Sequence, residues 1–197
     1  MANNLITRTP RNRGVFHAQS TLADAEQLRR FLTRIAHEID EHNHGLNDVV
    51  LIGIQRGGVP LAQEVQKRLN EIGQSKIPTF ALDVSTFRDD IAVEDRNEPT
   101  PSDALPDLTD RVVVIVDDVL YTGRTVRAAF NALAAHGRPR AIQLAVAVDR
   151  GHREFPIRAD YVGKNLPTKR SEEVDVDLKH GIRIGQLVDG PIESESK

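Results

Sequence analysis

Residues 113–125 read VVIVDDVLYTGRT, an apolar run followed by two aspartates and then by a turn with two threonines and one glycine. Four successive apolar residues are typical of a buried strand, and the helical spacing over 126–136 predicts a helix directly after the turn. In an open α/β sheet, ligands bind where the strands end and the following helices begin. We therefore expect Asp117, Asp118 and the turn to face a ligand.

The turn has the composition of an anion-binding site. The backbone N–H groups of residues 122–125, the hydroxyls of Thr122 and Thr125 and the positive end of the helix would together hold a phosphate dianion. Gly123 allows the backbone to approach that phosphate closely. The two carboxylates are unsuited to touch a phosphate, but they can accept hydrogen bonds from ribose hydroxyls. A sugar phosphate therefore fits these residues, and the alternative is that the acids only cap the helix.

Two common nucleotide sites are excluded by their missing motifs. The sequence has neither the GxxxxGK[ST] pattern of the P-loop nor the GxGxxG pattern of dinucleotide-binding folds. No HExxH or EF-hand pattern occurs either, so no fixed protein metal site is predicted. A bound ribose 5-phosphate is the interpretation that remains.

The segments on either side of residues 113–125 alternate between strand and helix patterns. Apolar, β-branched runs of strand length are separated by segments whose apolar residues recur at helical spacing. This alternation predicts an α/β fold with a mainly parallel, doubly wound sheet flanked by helices. The predicted strands are 48–54, 79–85, 111–116 and 141–148, and the predicted helices are 60–72 and 126–136.

An amphipathic helix is predicted ahead of the sheet, over residues 21–44. We expect Ser20 or Thr21 to cap its start and Gly45 to end it. Its apolar stripe consists of Leu28, Leu32, Ile35 and Ile39.

The remaining segments suggest a mobile N-terminal arm over 1–19, one domain over 20–190 and a disordered tail over 191–197. The irregular, acid-rich stretch 87–110 is expected to be a functional lid, because long loops without pattern are uncommon in compact domains. Short strand-like pieces near the C-terminus predict a small hood or edge hairpin. They lie at 159–162, 174–178 and 182–187.

Bulk composition narrows the class of protein further. With 197 residues and 39% hydrophobic content, the chain is long enough for one buried α/β core. The absence of cysteine excludes disulfides and thiolate metal sites and favours a reducing cytoplasm. No apolar run approaches the roughly 18 residues of a membrane span, so a cytoplasmic protein without membrane contact is expected. The net charge of -3 argues against a globally basic nucleic-acid binder.

The pattern of four apolar residues, two acids, apolar residues and T-G-x-T resembles the type I phosphoribosyltransferase signature. The segments LTRIAHEI, DDVLYTGRTVRAA, IQLAVAVDRGHRE and PIRADYVGKNLPT resemble the PyrR family of pyrimidine operon attenuators and uracil phosphoribosyltransferases, over residues 20–180. The resemblance implies a type I phosphoribosyltransferase fold with a small hood and a flexible lid. It also implies transfer of the phosphoribosyl group of 5-phosphoribosyl-1-pyrophosphate (PRPP) to uracil. The products are UMP and pyrophosphate, and Mg²⁺ is carried by PRPP. Homodimers or larger assemblies are expected.

The same resemblance assigns roles along the chain. Arg56, Arg88 and Asp118 are the expected catalytic residues, with Arg88 reaching pyrophosphate when the lid closes. Many relatives have Thr-Arg-Gly where this chain has Arg56, Gly57 and Gly58, which leaves open a decayed catalytic loop or a purine transferase. A plain strand-to-helix turn is the alternative for this loop. The expected PRPP- or nucleotide-binding positions are Arg56, Gly57, Asp117, Asp118, Val119, Leu120, Tyr121, Thr122, Gly123, Arg124, Thr125, Arg150 and Val162.

A second function, binding to RNA, is suggested by one face of the first predicted helix. Its polar residues lie opposite the apolar stripe, although such a ridge is usually only a solvated surface. The PyrR resemblance implies that it binds a pyrimidine operon leader mRNA hairpin under control of UMP or UTP. His42 departs from relatives, which often have arginine there. The implied RNA-binding residues are Thr33, Arg34, His37, His152, Arg153, Arg158 and Lys164.

Overall fold

A five-stranded parallel sheet and a three-stranded antiparallel sheet organise residues 15–74, 76–88 and 104–188, which the computed structural model describes. Three α-helices accompany them in this part of the chain: α1 (Ala25–Asn43), α2 (Gly58–Gly73) and α3 (Arg124–Leu133). The strands are β1 (Val15–Ala23), β2 (Val49–Ile54), β3 (Thr79–Leu82), β4 (Val112–Leu120), β5 (Ala141–Asp149), β6 (Tyr161–Asn165), β7 (Glu173–Asp177) and β8 (Gly181–Val188).

The parallel sheet has the strand order β3-β2-β4-β5-β6 and is covered on both faces. Alternate residues of its central strands point to opposite faces, so Val114 packs in the core with α1 and α2, whereas Ile115 packs with α3. Ile52, Ile115 and Leu144 lie side by side across β2, β4 and β5. Burial on both faces is the reason that these strands are apolar throughout. The predicted α/β class and parallel sheet are confirmed.

Two boundaries predicted at the start of the domain are wrong. Residues 15–19, which the sequence placed in a mobile arm, belong to β1, which pairs with β8 in the order β1-β8-β7. The first helix then begins at Ala25, with Asp24 as its cap in place of Ser20 or Thr21. Asp24 accepts a hydrogen bond from Gln27 N at 2.7 Å, and its own N–H donates to the Gln27 side chain at 2.9 Å, a capping box.

Two strands also differ from their predicted positions. The strand expected over 111–116 extends to Leu120, because β5 pairs with it as far as Asp149, and the two aspartates therefore lie inside β4. The piece expected in the hood near 159–162 is β6, the edge strand of the parallel sheet beside β5. The hood itself is formed by β1, β7 and β8. The tail at 191–197 and most of the predicted lid lie outside the described residues.

A buried polar network joins the C-terminal end of α1 to β5 and β6. Asn43 Nδ2 donates to Gln143 Oε1 at 3.1 Å, and Gln143 Nε2 donates back to Asn43 Oδ1 at 2.9 Å. The Tyr161 hydroxyl donates to Gln143 Oε1 at 2.8 Å. This network explains the one polar residue in the predicted strand 141–148, because each polar group is satisfied inside the protein. Burial raises the pKa of Tyr161 from 10.0 to about 12.

Replacement Tyr161→Phe tests this network through the pH dependence of stability. The raised pKa means that the folded state favours the neutral phenol, so its contribution is complete below pH 10 and is lost as the pH rises through about 12. Loss of the hydrogen bond is expected to lower the free energy of unfolding by about 1 kcal/mol at neutral pH. Urea unfolding of both proteins across the alkaline range should show the wild type losing stability more steeply. A difference between them that does not change with pH would contradict this account.

Candidate functional site

A cleft of about 280 Å³ opens at the edge of the sheet where the parallel strands end. It is lined by the end of β4, the turn 121–123 and the first residues of α3, with Arg88 and Glu154 at its margin. Because β2, β4 and β5 run parallel, the segments that follow them all begin at this edge. The predicted phosphate turn and Asp117 thus line one cleft, and Asp118 directly follows Asp117 in β4.

Asp117 and Asp118 are both buried near the end of β4, at 6% and 2% exposure. Oδ1 of Asp117 accepts the N–H of Asp118 at 2.9 Å, and Oδ1 of Asp118 accepts the N–H of Val119 at 2.7 Å. These short-range bonds fix the orientation of each carboxylate. Buried carboxylates that are held in place by the backbone are preorganised hydrogen-bond acceptors.

The turn after β4 requires a glycine at its last position. Gly123 has φ +92° and caps the start of α3, and a Cβ placed there would lie 3.3 Å from side-chain atoms of Phe155 and Ile157. The Thr122 hydroxyl accepts from Arg124 N at 3.4 Å. The Thr125 hydroxyl accepts from Nη1 of Arg88 at 3.2 Å, so the arginine at the base of the predicted lid already reaches the turn.

A loop after β5, residues 150–157, lies directly against this turn. The carbonyl of Thr122 accepts the N–H groups of Glu154 at 2.9 Å and of Phe155 at 3.1 Å. Arg124 pairs with Glu154 at 2.7 Å, and its guanidinium lies 5.3 Å from the centre of the Phe155 ring. Glu154 and Phe155 were missed by sequence reasoning, because only the folded chain brings this loop to the turn.

Arg150 is buried at the end of β5, at 3% exposure. Its guanidinium lies 4.2 Å from the centre of the Tyr121 ring and donates to Thr168 Oγ1 at 2.9 Å and to the Glu172 carbonyl at 2.5 Å. It therefore ties the turn to the connection between β6 and β7. Beside it, a cavity of about 380 Å³ is lined by residues 149–152 and 165–168, at the ends of β5 and β6.

Arg56 and Gly57 line a different cavity, of about 320 Å³, together with Pro60, Leu61 and residues 175–178 of the hood and the turn after it. Arg56 is exposed, and the Gln55–Arg56 peptide is cis. Gly58, the first residue of α2, packs against β4: a Cβ there would come 2.2 Å from the Val116 carbonyl and 3.1 Å from Cα of Asp117. The loop after β2 is therefore a direct neighbour of the acid pair.

The residues predicted to bind RNA fall into two groups. Thr33, Arg34 and His37 lie on α1, where Arg34 Nη2 donates to the carbonyls of Val162 at 2.9 Å and Gly163 at 2.8 Å. The second group lies after β5 and along β6. Arg158 is exposed there and Lys164 is half-buried. His152 contacts the Thr168 carbonyl at 2.5 Å and the edge of the Tyr121 ring, whereas Arg153 donates to the carbonyls of Ile157 and Tyr121.

The carbonyl of Val162, one of the predicted nucleotide-binding positions, thus accepts a hydrogen bond from Arg34. Within the described ranges, no group of three or more histidine, cysteine, aspartate or glutamate side chains could hold a metal ion. None of the helices in this same part of the chain is long and apolar enough to cross a membrane.

Comparison with known proteins identifies relatives that agree with the resemblance seen in the sequence. The family model for the phosphoribosyl transferase domain matches residues 18–180. The bifunctional protein PyrR of Brevibacillus brevis is 53% identical over 81% of this chain and 90% of the relative. The bifunctional protein PyrR of Deinococcus radiodurans is 50% identical over 87% of this chain and 95% of the relative.

Solved structures share the fold at lower identity. A hypoxanthine-guanine phosphoribosyltransferase from Bacillus anthracis superposes with a TM-score of 0.64 at 18% identity, over 87% of this chain and 99% of that one. The hypoxanthine phosphoribosyltransferase of Trypanosoma cruzi gives 0.65 at 20% identity, over 86% and 98%. The expected type I phosphoribosyltransferase fold is confirmed.

Proposed function

The chain belongs to the PyrR family and contains a phosphoribosyltransferase domain, and on this basis we propose that it is a uracil phosphoribosyltransferase that also regulates pyrimidine genes through RNA. Uracil and PRPP give UMP and pyrophosphate. The observation that carries the proposal is the burial of Asp117 and Asp118 next to a hydroxyl-rich turn at the start of a helix.

The turn binds the phosphate of the sugar phosphate, and the acid pair binds its ribose. The N–H groups of residues 122–125 and the hydroxyls of Thr122 and Thr125 bind the 5-phosphate at the N-terminus of α3. Asp117 and Asp118 accept hydrogen bonds from the two ribose hydroxyls. Since a sugar cation-like state develops at C1, a fixed ring position and two nearby carboxylates both favour the transition state.

The leaving pyrophosphate is assigned to the loop after β2. Arg56 is exposed beside the cavity at this loop, and the N-terminus of α2 begins two residues later at Gly58. Backbone N–H groups there, together with the Arg56 guanidinium, can neutralise charge on the departing oxygens. Arg88, which reaches Thr125 in this structure, would add a second cation at the pyrophosphate when the lid closes.

The acid pair fits Mg²⁺ that arrives with PRPP. This ion is bound in proteins by one or two carboxylates plus substrate phosphates and retained waters. Asp117 or Asp118 could supply such a carboxylate. When bound, Mg²⁺ would neutralise charge on the pyrophosphate, while the protein holds the sugar and excludes water.

The base is assigned to the cavity between residues 149–152 and 165–168. This cavity lies at the ends of β5 and β6. Arg150 shapes its wall through Tyr121 and Thr168. Arg150 itself lines this cavity, so the nucleotide-binding role that the resemblance implied for it is kept as part of the proposal.

Two replacements test the sugar-phosphate site. Asp118→Asn and Thr122→Ala each remove a hydrogen bond to a charged or buried ligand group, so each is expected to weaken PRPP binding by roughly tenfold or more. Titration calorimetry with PRPP and Mg²⁺ measures the loss. Arg138→Gln, an exposed arginine at the opposite edge of the sheet, is the matched control and should bind normally. Unchanged binding in both site variants would contradict the assignment.

Base choice separates the transferase from its alternatives. Incubation with PRPP, Mg²⁺ and each of uracil, hypoxanthine, guanine and orotate is expected to yield UMP from uracil alone. Inosine or guanosine monophosphate without UMP would establish a purine transferase. Nucleotide binding without any product would favour a regulator with a decayed loop, the alternative raised by Gly57 where relatives often have arginine.

RNA binding is assigned to the two groups of basic residues on α1, after β5 and on β6. Arginine and lysine bind phosphates, while threonine and histidine can contact unpaired bases. α1 and β6 are held together by Arg34, so Lys164 and the α1 residues lie on adjoining elements. UMP or UTP bound at the cleft would adjust affinity for the hairpin, because the loop after β5 rests on the nucleotide turn.

Arg158→Gln tests the RNA face most cleanly, since Arg158 is exposed. With the pyrimidine leader hairpin and UMP present, the variant should bind more weakly at low salt, and the slope of log K against log salt should fall by about 1, as one phosphate contact is lost. Filter binding across a salt series gives both values. A slope and an affinity equal to those of Arg138→Gln would remove Arg158 from the interface.

A further inference from the structure

Arg153 has all three guanidinium nitrogens bonded inside the protein. Nε donates to the Ile157 carbonyl at 2.9 Å, and Nη1 donates to the Tyr121 carbonyl at 2.9 Å. Nη2 donates to the Asp149 carboxylate. The side chain is 23% exposed and its carboxylate partner 17%, so this pair is largely withdrawn from solvent.

The acceptors of Arg153 lie immediately behind the sugar-phosphate turn. Tyr121 and Leu120 directly precede Thr122, and Nη1 of Arg153 also lies 3.4 Å from the Leu120 carbonyl. Asp149 ends β5 and additionally accepts the N–H of Gly151 at 3.0 Å. One side chain therefore bridges the turn after β4, the end of β5 and its own loop.

We propose that Arg153 is a positioning residue for the sugar-phosphate turn, and that it affects RNA only by shaping the loop that carries His152 and Arg158. This inference rests on the proposed function of the turn. The planar guanidinium of Arg153 donates to several carbonyls and one carboxylate at once, a geometry that a lysine ammonium does not reproduce. An RNA phosphate at Arg153 would have to displace these partners and leave Asp149 without its buried counter-charge.

Backbone hydrogen bonds strengthen the same link. The Thr122 carbonyl accepts two N–H groups from residues 154 and 155, and the Arg150 N–H donates to the Leu120 carbonyl at 3.1 Å. The turn is consequently supported from behind by residues 150–157 and cannot keep its shape if that loop moves. Since the Thr122 carbonyl is itself bonded to this loop, the loop sets the position of the turn that is assigned to the 5-phosphate.

The kinetic expectation follows from where the turn acts. The 5-phosphate is bound in both the ground state and the transition state. A displaced turn therefore weakens the binding of both states equally, which raises KM. Arg153→Gln is expected to raise KM for PRPP by roughly tenfold or more, from the loss of charge-assisted hydrogen bonds, with a much smaller change in kcat. Arg153→Lys should give an intermediate KM.

RNA measurements distinguish positioning from contact. Arg153→Gln should weaken hairpin binding without changing the slope of log K against log salt, whereas Arg158→Gln should lower that slope by about 1. Asp149→Asn removes the same internal pair, so its effect on KM and that of Arg153→Gln should not add in the double variant. Arg138→Gln is the matched arginine control for both assays.

Direct PRPP binding to the wild type and the variants, with circular dichroism of each, completes the test. The inference would be overturned, and Arg153 would be an RNA contact, under one combination of results. In it the wild type binds PRPP normally, while a folded Arg153→Gln variant has an unchanged KM and a salt slope reduced by about 1. If Arg153→Gln does not fold, Arg153→Lys and Asp149→Asn decide by the same two readouts. Failure of the wild type to bind PRPP would instead overturn the proposed function, and this inference with it.

Discussion

Two neighbouring carboxylates, Asp117 and Asp118, are buried inside β4, and the rest of the site depends on holding them there. A buried carboxylate is costly unless it is hydrogen-bonded, and each of these accepts a backbone N–H from the next residue. The loop after β2 comes within contact of Asp117 because its residue 58 is a glycine. The helix α3 begins at Arg124, directly after the turn 121–123, so its N-terminus faces the same cleft.

The support of this cleft comes from segments far apart in sequence. The loop after β5 is bonded to the turn through the Thr122 carbonyl, and Arg150 and Arg153 extend that attachment to the β6–β7 connection and to the end of β5. The same loop carries His152, one of the residues assigned to RNA, and leads directly into Arg158. A nucleotide that orders the turn therefore has a short physical route to the RNA face, through contacts that can be changed one at a time.

Much of this arrangement could be predicted from residues 113–125, because a continuous apolar run, two acids and a hydroxyl turn constrain one another locally. The parallel sheet followed from the alternation of strand and helix patterns. β1 could not be predicted, since its exposed residues carry little apolar signal and its stability comes from pairing with β8 at the far end of the chain. The position of β6 and the internal bonding of Arg150 and Arg153 depend on tertiary contacts that leave no mark on local sequence.

A crystal structure of the protein with PRPP and Mg²⁺ tests the central claim most directly. The account predicts the 5-phosphate within hydrogen-bonding distance of the N–H groups of residues 122–125 and the ribose hydroxyls at Asp117 and Asp118. Clear density for PRPP bound away from this turn, with the two carboxylates facing only solvent or protein, would contradict it.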